Sequence, residues 1–169
     1  MKIHELFLAQ IEREAVGSRH ALERVPEGRP DWKPHEKSMP LGYLSGLVAS
    51  MPSWIAMAVD QDELDINPPG GSSYTPPSPS TTSELLKVHD ESVAAAEKAL
   101  RGTNDEHLMT SWRLLNGGKV VMKDPRHVVI EDMFTHLAHH RGQLTVYLRL
   151  LGVPVPAIYG PSADERIFG

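Results

Sequence analysis

The 169-residue chain contains no cysteine. That excludes disulfides, a thiolate nucleophile and any cysteine-bound zinc, so thiol chemistry here would need a thiol brought by a substrate or cosubstrate. No run approaches the ~20 apolar residues that span a bilayer. The opening MKIHELFLAQIERE carries acids among its apolar residues, unlike a secretion signal. No block of Lys and Arg offsets the net charge of −5, which argues against gripping a phosphate backbone. The expectation is a cytoplasmic protein with no membrane and no nucleic-acid partner.

What is present is ordinary for a globular chain, 40% hydrophobic and 23% charged. The length suits a single domain, 1–169, around one core. Ile3, Phe7, Ile11, Leu22 and Val25 recur at helical spacing, so a first helix is expected over about 3–25. VPEGRPDWKP breaks it. A second helix is expected from Ser38, its N-cap, to about Val59, with Pro40 in the first turn and a kink at Pro52.

DINPPGGSSYTPPSPSTT is too rich in Pro, Gly and Ser for regular structure and reads as a long crossover over the surface. Thr81 and Glu84 form a capping box for a third helix over about 82–101, which Gly102 stops. In 103–123, WRLLNGGKVVMK fits either a short hairpin around Asn116-Gly117-Gly118 or an irregular excursion. Asp124 as N-cap and Pro125 in first position open a last helix that ends near Leu151, before Gly152 and Pro154. The sum is an all-α protein, a four-helix bundle with a long crossover loop between helices 2 and 3.

The last helix carries FTHLAHHRGQ, with three histidines. At about 100° per residue, Met133, Leu137, Leu144, Tyr147, Leu148 and Leu151 share one face. His140 falls within that face, His136 lies at its edge, and His139 points away. An i, i+4 pair stacks two imidazoles that can converge on one divalent ion. HxxxH is a short pattern, however, and two satisfied polar side chains on a helix explain it as well. Arg141 and Gln143 flank the pair, where they support a site or meet solvent.

HLAHHRGQLTVYLRLLGVPVPAIYGPSADE, with WKPHEKSMPLGYL and SVAAAEKALRGTNDE, resembles the DinB-like family, the DNA-damage-inducible metalloenzyme group. The likeness runs in order over nearly the whole chain, most specifically in HHRGQL and LRLLGVPVP. It implies a four-helix bundle, a homodimer, and a zinc or nickel ion held by three histidines. It also implies thiol-dependent transfer, isomerisation or hydrolysis of an unidentified small molecule.

By this resemblance His136 and His140 are the last-helix ligands. The histidine expected on the second helix falls at position 47, where this chain has Leu47. No histidine lies between positions 36 and 88 to replace it. His89, on the apolar stripe of the third helix, is the one substitute ligand offered, with a satisfied core histidine the favoured alternative. His139 and Arg141 are expected at the pocket mouth, and Leu47, Trp54 and Tyr147 along its wall.

Two functions therefore stand side by side. One is a divalent-metal-dependent enzyme of the thiol transferase or hydrolase type. The other is a degenerate, metal-free family member that acts as a small-ligand-binding or dimeric interaction module. Trp32, Trp54 and Trp112 are expected as core or dimer anchors. NGGK lacks the spacing of a phosphate loop, and the tail IYGPSADERIFG is expected to pack along the bundle or a dimer partner.

Overall fold

The computed structural model describes residues 2–71 and 74–166. Its helices are α1 (Ile3–Leu22), α2 (Leu41–Ser50), α3 (Pro52–Asp60), α4 (Thr82–Gly102), α5 (Asp105–Leu108) and α6 (Arg126–Leu150). Three strands join them: β1 (Glu63–Asp65), β2 (Ser111–Asn116) and β3 (Lys119–Pro125). α4 packs against α1, α2 and α3, and α6 packs against the same three. α4 and α6 therefore face each other across a diagonal.

The all-α four-helix expectation is overturned, because a three-stranded mixed sheet in the order β1-β2-β3 accompanies the helices. β2 and β3 form an antiparallel hairpin, and β1 adds parallel to β2. The hairpin turns at Gly117 (φ 62°) and Gly118 (φ 77°), and two successive positive φ angles are what a tight two-residue hairpin turn demands. Of the two alternatives for 103–123, the hairpin is the one observed, with the short α5 before it. β1 lies just before the stretch expected to be crossover loop and overlaps it only at Asp65. Three residues are too few to show a period of two, and only pairing with β2 makes the segment a strand.

Register sets one face of this sheet against the helices. Leu64 pairs with Leu114, and Leu114 with Met122, while Trp112 lies two residues before Leu114 and so points to the same side. Trp112 is buried in one core cluster with Phe7, Ile11, Ile55, Leu100 and Ile130. A second cluster, at the other end of the helices, gathers Leu22, Leu41, Leu44, Leu85, Leu137 and Leu144.

The expected second helix is two helices, bent by 47° between Ser50 and Pro52, since proline removes a backbone donor and clashes with the preceding turn. α1 ends at Leu22 rather than Val25. Asp124 does not cap α6. It belongs to β3, opposite Trp112, and Pro125 stands at the N-cap. The Thr81–Glu84 capping box is present, with Thr81 Oγ1 accepting from the Glu84 amide at 3.2 Å. No single helix among the described residues is long and apolar enough to cross a membrane.

Chain beyond α6 returns along the helices. Arg149 donates to Asp164, Arg24 pairs with Glu165, and Tyr159 donates to Glu14 at 2.8 Å. The last three residues, 167–169, lie outside the described part. One close approach positions the crossover: a Cβ on Gly46 of α2 would sit 1.9 Å from the Pro77 carbonyl oxygen. Glycine at 46 lets the segment carrying Tyr74 lie directly on α2.

Candidate functional site

Three elements and the crossover converge where α2 bends into α3. α6 brings His136 and His140, α2 brings Leu47, α3 brings Trp54, and the crossover brings Tyr74. Together with Met39, Pro40 and Tyr43 they line an open hollow of about 450 Å³. The 47° bend aims Trp54 at α6: its ring lies 5.7 Å from that of His136 and meets Tyr74 edge-on at 5.6 Å. The Tyr74 hydroxyl is 3.2 Å from Ser50 Oγ and accepts from Trp54 Nε1 at 3.3 Å.

The histidines form a chain of hydrogen bonds. Gln143 Nε2 donates to His139 Nε2 at 3.0 Å, while its Oε1 lies 2.8 Å from His140 Nδ1. An amide oxygen only accepts, so His140 Nδ1 is the donor and its Nε2 keeps a lone pair. That lone pair faces His136 Nε2 at 2.8 Å, so His136 donates through Nε2 and presents Nδ1 as an acceptor. Burial holds His136 below its ordinary pKa, and the nearby rings of His140 and His139 add to the effect.

His140 is 6% exposed while His136 and His139 reach solvent. His139 nonetheless closes the hydrogen-bond chain through Gln143. Arg141 is not at the mouth. It is 2% exposed and turned toward α1, donating to the Glu14 carbonyl at 2.9 Å and Ser18 Oγ at 3.0 Å and pairing with the Glu14 carboxylate. Tyr147 packs edge-on against Trp32 and donates to the Met39 carbonyl at 3.2 Å, and it is not among the residues that line the hollow. His89 lies between α1 and α4, 2% exposed and 3.1 Å from Asp90. The α4–α6 diagonal keeps it from the pair.

Beside the hollow is a second cavity of about 260 Å³, and Trp54, Tyr74 and His136 border both. Its other walls come from the inner face of the sheet (Leu64, Trp112, Leu114, Met122) and from α6 (Val129, Asp132, Met133). Sequence patterns could not reveal this cavity, because part of its wall belongs to strands that only tertiary pairing creates. Tyr74 was equally hidden, as a single aromatic in a Pro/Gly/Ser-rich segment.

Residues 7–166 match the DinB family. The chain belongs to that family. Two solved DinB-like structures share its fold. One, from Bacillus cereus ATCC 10987, superposes with a TM-score of 0.70 at 20% identity, over 92% of this chain and 97% of the other. The second, YjoA from Bacillus subtilis, gives 0.67 at 16% identity, over 95% and 99%. The uncharacterized protein YrdA of Bacillus subtilis (strain 168) is 44% identical over 41 residues, which is 24% of this chain and a quarter (25%) of YrdA.

DinB proteins are generally metal-associated, and the donors present here are short of what such an ion needs. Catalytic zinc takes three protein ligands at about 2.0–2.2 Å plus an open position. His136 and His140 supply two nitrogens, and the α2 position beside them is the buried side chain of Leu47. Among the described residues no three His, Asp or Glu side chains gather where an ion could be held. The donor set does not fit a three-ligand catalytic ion.

Proposed function

We propose that this DinB-family protein binds a small organic molecule in the cleft at His136 and His140 without a metal ion. The observation that carries it is Leu47, an alkyl side chain lining the same hollow as both imidazoles. Carbon there contributes no lone pair and leaves the two imidazoles bonded to each other. The apolar cavity behind Trp54 and Tyr74 gives the cleft the mostly hydrophobic lining, with a few convergent polar groups, that small-molecule sites have.

A zinc- or nickel-dependent thiol transferase or hydrolase is the second reading. In its favour, Gln143 orients His140 as outer hydrogen bonds orient metal-bound histidines. One experiment decides between them: elemental analysis of untagged protein, with melting curves in added zinc or nickel. Less than stoichiometric metal and little change in Tm are expected. Stoichiometric ion that is lost in His140→Ala overturns the metal-free reading.

A further inference from the structure

The apolar cavity and the histidine chain share a wall, and their chemistry constrains what can lie across them. Leu64, Leu114, Met122 and Val129 give the cavity apolar walls. Apart from the Tyr74 phenol, its ionisable groups are His136 and the exposed Asp132, both on α6. Among the described residues no lysine or arginine borders either chamber, and the nearest candidate by sequence, Arg141, is committed to Glu14.

Two polar atoms on these lining residues lack partners among the described residues. His136 Nδ1 makes no bond within the described residues, and the tautomer that Gln143 imposes makes it an acceptor. Trp112, which also lines the cavity, has a buried Nε1–H with no acceptor among the described residues. His136 and Trp112 both line this apolar space, with the Asp132 carboxylate at its rim.

We propose that the cleft takes an uncharged, apolar, hydroxyl-bearing molecule of the alkylphenol type, whose hydrocarbon fills the cavity under the sheet. The hydroxyl donates to His136, and the ring and alkyl chain pack on the apolar walls, Trp112 among them. A hydroxyl supplies the proton that His136 Nδ1 can take, whereas a carboxylate has none and would meet Asp132 with no lysine or arginine among the described lining residues. Burying an unpaired anion in such a space is disfavoured far more than burying a neutral polar group. This rests on the metal-free reading of the same site.

The test uses the full untagged chain with para-propylphenol and para-propylbenzoate at neutral pH, followed by titration calorimetry and the indole N–H resonances. Para-propylphenol is expected to bind about tenfold or more tightly than the benzoate, and to move the Trp112 resonance while leaving that of Trp32 in place. Met122→Trp, which fills the cavity, should abolish phenol binding, and Leu64→Phe serves if that variant does not fold. His136→Phe should weaken phenol binding several-fold with the fold intact by circular dichroism. Equal or tighter benzoate binding, binding of neither probe, or phenol binding indifferent to both cavity-filling variants overturns the ligand class. Metal analysis of the same sample separates the two failures: stoichiometric ion overturns the metal-free reading, and a metal-free sample that prefers benzoate overturns only this inference.

Discussion

His136 Nε2 and His140 Nε2 stand 2.8 Å apart on consecutive turns of α6, bonded to each other across the face that looks toward Leu47. Two ligands of one tetrahedral ion would sit about 3.3 Å apart, given ligand distances near 2.05 Å. The pair is thus close to a chelating geometry, and the side chain at 47 decides whether a third donor joins it.

Leu47→His should therefore create metal binding. At an ion concentration about 100 times Kd, stabilisation reaches about 2.7 kcal/mol. For a chain of this size that raises Tm by roughly 5–10 °C. Melting curves of both proteins in zinc and nickel check this, and an equal response in the two would show that position 47 does not control the site.

Arg141→Ala should destabilise the fold by about 3–5 kcal/mol, because it leaves the half of a buried pair that remains, the Glu14 carboxylate, without its partner. Denaturant unfolding measures it. A loss near zero would mean that Arg141 is not held by α1 as the structure places it.

Gly46→Ala should cost about 1–3 kcal/mol, since the new methyl would meet the Pro77 carbonyl and push the crossover off α2. Because Tyr74 rides on that crossover, affinity for a cleft ligand should fall along with Tm. A variant as stable as the parent would contradict the close approach.

Acid should weaken the fold through His89. Burial lowers its pKa, an effect opposed by Asp90 beside it, with Arg19 and Glu23 of the α1 end also in range. A base with a depressed pKa in the fold binds more protons when unfolded. Its stabilisation is therefore complete above the unfolded value of about 6.5 and is lost as pH falls below it. Melting temperatures between about pH 7.5 and 5 should fall less steeply for His89→Gln. An identical slope would place the titrating group elsewhere.

Local chemistry was legible in the residues. Thr81 and Glu84 declared the start of α4, Pro52 the break after α2, and i, i+4 spacing the inward turn of His140, because each depends on neighbours within one or two turns. The DinB resemblance was legible too, and it singled out Leu47 as a departure before any coordinates.

Other features depended on segments far apart in the chain. β1 exists because Glu63–Asp65 meets β2 nearly fifty positions later, and no three-residue pattern announces such a partner. Arg141 left its expected place at the pocket mouth for the same reason. Arg141 turned inward to Glu14, 127 residues away, while His139 stayed outside but joined the pair through Gln143. The cavity under the sheet followed from both. Sequence by itself determined the helix signals, the family and the missing donor at 47. Tertiary structure decided which polar groups satisfy one another and what space remains, since hydrogen bonding and packing are settled by proximity in the fold rather than along the chain.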